Sequence, residues 1–185
     1  MKYTPTPDGQ ELGGFTQLPA NRYTFVLDAP EEQPKKGETL TGKETGPIER
    51  VRIPFKVNRG EYAGQPIAFF AGLSFPRGMQ DYLKIIAASG AAEKLSKSYG
   101  LPPIAEGWDD SVIKSRKLFN ALRTVLPGLE VDGDVKQRSY EVIVDEASGK
   151  KETRTNSNIV AVYPPAGGIP KAASGGETKA PSEDW

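Results

Sequence analysis

Cationic side chains recur at alternate positions in one short segment of the chain. Within 49–57, Arg50, Arg52 and Lys56 alternate with apolar residues. If this segment is a β-strand, the three cations share a face, because successive side chains of a strand point to opposite faces. Cations aligned in this way suit contacts with the phosphates of a nucleic acid. The alternative is an ordinary solvated sheet face, on which Glu49 would be a companion.

A second group combines cations with an aromatic ring. Lys136, Arg138 and Tyr140 also stand at alternate positions of a predicted strand. A ring beside cations suits a single nucleic-acid strand, because each base that stacks on such a ring contributes about 1–3 kcal/mol. A helix packed over Tyr140 would instead bury it. For Phe70, on the outward side of another predicted strand, we expect such burial in the core.

Two predicted loops carry further cations. The first loop spans residues 29–47, and the second is a hairpin tip over residues 145–154. Their candidate DNA-binding residues are Lys35, Lys36, Lys150, Lys151 and Arg154. Glutamates alternate with the cations in both loops, so solvated loop charge is the alternative to phosphate contact.

The composition removes most routes to catalysis. The chain of 185 residues contains no cysteine and no histidine. Thiolate nucleophiles, Ser-His pairs and the usual zinc sites are therefore excluded. Gly42-Lys43 and Gly149-Lys150 lack the glycine spacing and the following Ser or Thr of a phosphate-binding loop. We expect a protein that is not an enzyme and that uses no cofactor and no metal.

One catalytic alternative is a metal-dependent nuclease. Asp109, Asp110, Asp132 and Asp134 are paired carboxylates of the kind that can hold Mg²⁺. Structural roles explain them more simply. The first pair suits the N-terminus of a helix, and the second pair, with Gly133 between its members, suits a turn.

Charge and hydropathy bound the partners. The 24 lysines and arginines balance 24 aspartates and glutamates, so a nucleic-acid site must come from local arrangement rather than from overall basicity. No run of about 18 apolar residues is present, and residues 1–5 lack the apolar segment of a secretory signal. We expect a cytoplasmic protein that does not engage a membrane.

The predicted elements place one β-rich domain over residues 21–165, between an N-terminal arm (1–20) and a flexible tail (166–185). Five strands are predicted, over residues 22–28, 49–57, 65–73, 134–144 and 158–163. Helices are predicted over 77–89 and 111–126, within a helical insertion that covers about 77–130. Pro54 places the second strand at an edge or at a bulge, because proline cannot donate to a ladder.

The predicted order β-β-β-α-β-β is that of the five-stranded OB-like Greek-key barrel, with an extra helical segment between strands 3 and 4. In that fold the second and third strands and the first and last inter-strand loops form the binding face. The long predicted loops fall where that fold needs them.

Three stretches carry a family pattern: Leu18-Pro19-Ala20-Asn21-Arg22-Tyr23-Thr24-Phe25, Lys35-Lys36-Gly37 and Gly60-Glu61-Tyr62-Ala63-Gly64-Gln65-Pro66-Ile67. They resemble phage-encoded OB-type single-stranded DNA-binding proteins. The resemblance covers about residues 18–90, and residues 91–133 depart from it. It implies sequence-independent binding of single-stranded DNA in phage replication, recombination or repair, in the cytoplasm of the infected host cell.

The chain ends in Pro181-Ser182-Glu183-Asp184-Trp185. This segment resembles the acidic tails with a terminal aromatic residue of bacterial and some phage single-stranded DNA-binding proteins, with fewer acids than most. The resemblance implies that Glu183, Asp184 and Trp185 bind replication proteins such as a polymerase, helicase or primase. The alternative is a solvated terminus.

A function of another class is a protein-binding module. Such a phage protein would use the same barrel to hold a host or replication protein without binding DNA. Zero net charge favours this alternative slightly. Apolar anchors on the binding surface and indifference to oligonucleotides would identify it.

Overall fold

The computed structural model describes residues 17–35 and 37–166, which form six antiparallel strands and four α-helices. The strands are β1 (Asn21–Leu27), β2 (Glu31–Glu32), β3 (Arg50–Val57), β4 (Pro66–Gly72), β5 (Glu130–Asp145) and β6 (Lys150–Tyr163). The helices are α1 (Pro76–Ala88), α2 (Ala91–Tyr99), α3 (Asp110–Ile113) and α4 (Arg116–Val125). All four helices lie between β4 and β5 in the chain. The expectation of a mainly β fold with helices after the third long strand is confirmed.

The strands form one open sheet in the order β4-β3-β1-β5-β6, with the short β2 paired to β3. Every pairing is antiparallel. The edge strands β4 and β6 approach one another. In the described part of the chain no hydrogen-bonded ladder joins them. The sheet is therefore open, whereas the sequence predicts a barrel.

The core lies on the inner face of this sheet, because apolar side chains alternate with polar ones along the strands. On β3, Val51, Ile53, Phe55 and Val57 are each 1 % exposed or less. The ring of Phe55 meets that of Phe25 on β1 edge to face, with 5.6 Å between centroids. The helices cover this face with their own apolar side chains. The largest fully buried ones are Tyr82, Ile85, Ile86, Leu95, Leu118 and Leu122.

Pro54 lies in an interior strand, so the expected edge position is wrong. The N–H of Val57 donates toward the β4 side, to the carbonyl of Gln65 at 3.0 Å. N–H groups alternate along a strand, so the position without an N–H at Pro54 faces the opposite side. There β1 has ended at Leu27 and β2 begins only at Glu31. Proline is accommodated at this end of the β1 pairing: the N–H of Asp28 still donates to the Pro54 carbonyl at 3.0 Å, and only the reciprocal bond from position 54 is missing.

The helical insertion differs from the predicted pair of helices. The first predicted helix is confirmed as α1, but α2 is an additional helix between Gly90 and Gly100, both of which have positive φ. The second predicted helix is broken into α3 and α4 at Ser115. This residue has extended backbone angles, and its hydroxyl accepts a hydrogen bond from the N–H of Leu118 at 3.1 Å. Ser115 therefore caps a new helix rather than continuing the previous one.

The last two strands are longer than predicted. The expected hairpin tip is present but shorter than the predicted 145–154, because β5 runs to Asp145 and β6 starts at Lys150, leaving only four residues between them. The distal parts, residues 136–145 and 150–158, pair only with each other. We call this two-stranded projection the ribbon.

Gly133 lies inside β5, so the turn predicted at residues 132–134 is also wrong. A Cβ atom at Gly133 would come within 2.9 Å of the Phe25 ring. Glycine therefore makes room for a core aromatic residue from β1. The residues next to Gly133 in the sequence do not distinguish this packing role from a turn.

Candidate nucleic-acid interface

The outward face of β3 and β4 brings two arginines beside an exposed phenylalanine. Directly opposite residues of antiparallel strands share a face. Arg52 lies opposite Phe70, and Arg50 lies opposite Gly72. The Phe70 side chain is 59 % exposed, so the expectation that it belongs to the core is wrong. No helix covers it because the described helices pack on the inner face of the sheet.

A second phenylalanine reaches the same face from the turn after β4. A Cβ atom built at Gly72 would be 3.4 Å from Cδ2 of Phe75. The ring therefore occupies the side of the sheet toward which a side chain at 72 would point. Phe75 is 69 % exposed and directly precedes α1, whose first residue is Pro76. We call Arg50, Arg52, Phe70 and Phe75 the sheet patch.

Close backbone packing holds Phe75 in this position. A Cβ atom at Gly78 would lie only 2.1 Å from the Gly72 carbonyl oxygen. The first turn of α1 thus rests directly on the end of β4. The N–H of Phe75 donates to the Gly72 carbonyl at 3.3 Å, and the Phe75 carbonyl accepts from the N–H of Met79 at 3.1 Å. The backbone of Phe75 is therefore held by hydrogen bonds at both its N–H and its carbonyl.

The arginines of the sheet patch differ in their partners. Arg52 is partly buried and forms an ion pair with Glu31 on β2 at 2.8 Å. Arg50 is exposed and donates to the carbonyl oxygen of Pro34 at 3.3 Å. Lys56, farther along the same face, is exposed, and the described residues offer it no ion pair. A phosphate would therefore compete with a carboxylate at Arg52 and with water at Lys56.

The ribbon brings four of the predicted residues onto one face. Lys136, Arg138 and Tyr140 alternate along β5, and Tyr140 lies opposite Arg154 on β6. These four residues are exposed, and we call them the ribbon face. Arg154 forms an ion pair with Glu152 at 3.6 Å. Salt bridges of the described chain involve neither Lys136 nor Arg138.

Lys151 does not belong to the ribbon face. It lies opposite Ile143, and its ammonium group contacts Glu141 at 3.0 Å. Both neighbours alternate with Tyr140 and therefore point to the other side of the ribbon. Lys150 lies at the turn, opposite Asp145. Of the cations predicted for the hairpin tip, Arg154 therefore lies on the ribbon face and Lys151 does not.

The first long loop is fastened to the helices. Arg116 at the start of α4 makes two hydrogen bonds to the Glu32 carboxylate, at 2.9 and 3.0 Å. The buried Ile48 donates its N–H to the carbonyl oxygen of Lys114 at 2.8 Å. Lys35 pairs with Glu49 at 2.8 Å, and this hydrogen bond raises the pKa of Lys35. A phosphate would therefore have to compete with the Glu49 carboxylate for Lys35, one of the predicted loop cations.

Some predicted residues lie outside the described ranges. They are Lys36 and the tail residues Glu183, Asp184 and Trp185. The N-terminal arm before residue 17 also lies outside.

The four carboxylates of the nuclease alternative have structural partners. Asp109 caps α3 by accepting from the N–H of Val112 at 3.0 Å, as predicted for a helix N-terminus. The hydrogen bonds from Ser111 and this amide lower the pKa of Asp109. In 17–35 and 37–166, no group of three or more potential ligands could hold a metal ion.

Asp132 and Asp134 lie on the outward face of β5 rather than in a turn. Asp132 is nearly buried and accepts from the hydroxyl of Thr24 at 2.7 Å and from the N–H of Ala166 at 2.9 Å. Asp134 accepts from Arg22 at 2.6 and 3.0 Å. This hydrogen bond, with a further one from Tyr163, lowers the pKa of Asp134. The guanidinium of Arg22 also lies 4.2 Å from the centre of the Tyr163 ring.

The sequence reasoning missed both phenylalanines of the sheet patch. For Phe70 a signal existed, because Ile67, Phe69 and Ala71 alternate around it on the inner face. Alternation gives the outward direction of Phe70 but does not tell whether a helix covers that face. For Phe75 no local signal exists, because its place over Gly72 depends on how α1 returns to the sheet.

Comparison with known proteins adds no assignment. The sequence matches no protein-family model and no curated protein. Within residues 17–35 and 37–166, no helix has the length and apolar character needed to cross a bilayer.

Proposed function

We propose that this chain is a sequence-independent single-stranded DNA-binding protein on an OB-like barrel. The observation that carries the proposal is the arrangement of the outward strand faces. One face of β3 presents Arg50, Arg52 and Lys56, and one face of the ribbon presents the cations and tyrosine of the ribbon face. Cations that follow phosphates, together with rings that stack on bases, are what single strands require.

The strand order supports the barrel. With β2 set aside, the five long strands follow the path third, second, first, fourth and fifth. The third and fifth, β4 and β6, approach one another. Pairing them would close a five-stranded Greek-key barrel. In such a barrel β3 and β4 are the second and third strands, and the ribbon is the last inter-strand loop, so the cations lie where this fold binds nucleic acid.

The setting and the partners follow from the resemblance. We place the protein in phage replication, recombination or repair, where it would cover single strands in the cytoplasm of the infected cell. In this proposal Glu183, Asp184 and Trp185 recruit a replication protein. Their carboxylates also compete with DNA phosphates for the cations of the protein itself.

The second candidate is the protein-binding module. Exposure of Phe70 and Phe75 favours it, because apolar anchors are typical of protein interfaces. The two arginines beside these rings are equally suited to phosphates, and this charge makes nucleic acid the better occupant.

Fluorescence anisotropy tests the proposal. Labelled oligo-dT and duplex DNA are titrated with the full-length protein across a series of salt concentrations. We expect selective binding of oligo-dT. If about 4 cations contact phosphates, the logarithm of affinity should fall with the logarithm of salt concentration at a slope of about −3. A slope near zero, or no binding at low salt, contradicts the proposal and favours the protein-binding module.

The tail is tested in the same assay. A full-length variant carrying E183Q, D184N and W185A should bind oligo-dT more tightly, because fewer carboxylates compete for the cations. Unchanged affinity would remove the competitive function of the tail and leave recruitment of partners to be measured directly.

A further inference from the structure

Phe75 and Phe70 have the largest exposed fractions, 69 % and 59 %, among the large apolar residues of the described chain. Phenylalanine is usually buried, so two such rings on one small surface call for a ligand. Both rings lie on the outward face of β4. They are fixed there by a strand and by a helix start.

Each ring has an arginine beside it on the neighbouring strand. Phe70 lies opposite Arg52, and Gly72, under the Phe75 ring, lies opposite Arg50. The sheet patch therefore consists of two successive rows, and each row holds one ring and one guanidinium. Rows two residues apart on a strand are separated by about 7 Å. One row has the chemistry to hold one nucleotide, with its base on the ring and its phosphate at the arginine.

We propose that Phe70 and Phe75 are two adjacent base-stacking sites for a single nucleic-acid strand whose phosphates contact Arg52 and Arg50. This inference rests on the proposed function and adds binding residues to it. It also supplies a reason for preferring single strands. The spacing of about 7 Å is twice the rise of about 3.4 Å per nucleotide in a duplex strand. Two successive bases can reach the two rings only when they are unstacked from one another.

Gly72 and Gly78 are positioning residues for the second site. A Cβ atom at 72 would lie in van der Waals contact with the Phe75 ring, 3.4 Å from Cδ2, so a side chain longer than that of alanine would compete with the ring for this face. Gly78 allows α1 to touch the Gly72 carbonyl, which sets the direction in which Phe75 leaves the backbone. Close backbone contact therefore builds the site. The Phe75 ring is already in place before a base binds, so binding does not have to order it.

The test compares two ligands of equal charge. One is oligo-dT, and the other is an abasic oligonucleotide of the same length, which keeps the phosphates and sugars but has no bases. The full-length variants are F70A, F75A and F70A/F75A, with F70W/F75W as the conservative replacement. I143A is the matched control, because Ile143 is 57 % exposed and lies on the opposite face of the ribbon. Melting temperatures of all variants verify the fold.

We expect each single variant to weaken oligo-dT binding by about 5- to 150-fold, which corresponds to about 1–3 kcal/mol for one stacked base. Binding of the abasic strand and the salt dependence should stay unchanged, since no cation is removed. F70W/F75W should retain oligo-dT binding, and its tryptophan fluorescence should be quenched when the bases stack. I143A should behave as the unsubstituted protein.

Three results would overturn the inference in distinguishable ways. If the unsubstituted protein binds neither oligonucleotide, the proposed function fails and the stacking sites fail with it. If it binds oligo-dT and F70A/F75A binds equally well, the function stands and the stacking sites do not exist. If F70A/F75A loses oligo-dT and the abasic strand to the same extent, the rings support the surface without contacting bases.

Discussion

The sheet patch and the ribbon face both present cations and aromatic rings, but they are built in different ways. Three of the four residues of the sheet patch are held by a neighbour: Arg52 by Glu31, Arg50 by the Pro34 carbonyl, and Phe75 by its backbone bonds. On the ribbon face, Lys136 and Arg138 are exposed, and from residue 136 onward their strand pairs only with β6. A two-stranded ribbon is marginally stable by itself.

The difference teaches what each surface can contribute to binding. Stacking depends on the exact place of a ring, so it requires the preorganised sheet patch. Long-range attraction of phosphates depends on charge and tolerates variation in side-chain position, so the ribbon face can supply it. We therefore expect single-strand selectivity to reside on β4 and most of the salt dependence to reside on the ribbon.

Substitution of Gly78 by alanine should have the largest effect and should break the sheet patch alone. The added Cβ would lie 2.1 Å from the Gly72 carbonyl oxygen, and this backbone atom cannot move independently. We expect a loss of about 1–3 kcal/mol in the free energy of unfolding, measured by urea denaturation. G46A is the control, because a Cβ at Gly46 has no neighbour within 4 Å. Equal stability of G78A and G46A would contradict the close contact between α1 and β4.

Removal of the ribbon charges should have the next largest effect, a change in the salt dependence of binding, and should leave the fold intact. In K136A/R138A/R154A, we expect the salt slope for oligo-dT to become shallower by about 2, because each phosphate contact contributes about 0.7. The melting temperature should not change, as these side chains are exposed. Three helical lysines make the charge-matched control, K84A/K94A/K97A. If both triple variants change the slope equally, the ribbon face has no special part in binding.

Substitution of Glu31 by glutamine should sharpen the sheet patch. Loss of the carboxylate frees the Arg52 guanidinium, which now pairs with it at 2.8 Å. We expect E31Q to bind oligo-dT a few-fold more tightly and with a salt slope steeper by about 0.7, one additional phosphate contact. E93Q, which removes the partner of Lys97 on α2, serves as the control. Weaker binding by E31Q would mean that Glu31 orients Arg52 for the ligand.

The smallest expected effect concerns the cluster on β1, β5 and β6 outside both surfaces. The hydrogen bond from Arg22 lowers the pKa of Asp134 in the folded protein. A lowered folded pKa stabilises the protein above the unfolded pKa of about 3.9, and the contribution is lost as pH falls through the folded value. Below about pH 4, D134N should therefore lose less stability than the unsubstituted protein. If the melting temperatures of D134N and the unsubstituted protein change with pH in parallel, the contact between Arg22 and Asp134 does not contribute to stability.

Local patterns in the sequence account for the strands and for one helix. Strict alternation on β3 and the β-branched and aromatic run of β1 predict their strands to within two residues, because the period of side chains along a strand is fixed. The break at Ser115 was predictable in kind, since serine favours helix caps. The distal part of β6 was not, because its polar residues lack an apolar face that would mark them as a strand, and the start of β5 was not, because Gly133 between two aspartates suggests a turn.

The candidate site was predictable only where it depends on alternation. The outward direction of Arg50, Arg52 and Lys136 follows from period alone. The exposure of Phe70 and the placement of Phe75 depend on where the helices pack. The face on which Lys151 lies depends on the register between β5 and β6. Alternation gives the outward direction of Phe70, but tertiary packing decides whether it is covered, and it also decides the other two positions.

The central place of β1 has a consequence for how the chain acquires its structure. β1 lies between β3 and β5, and its contact between Thr24 and Asp132 joins residues 108 positions apart. Contacts of such long range close slowly. At about 5–20 residues per second of ribosomal synthesis, the edge of β1 that will receive β5 stays unpaired for about 5–20 s. During that time this edge is the place where the nascent chain is most exposed to pairing with a wrong strand.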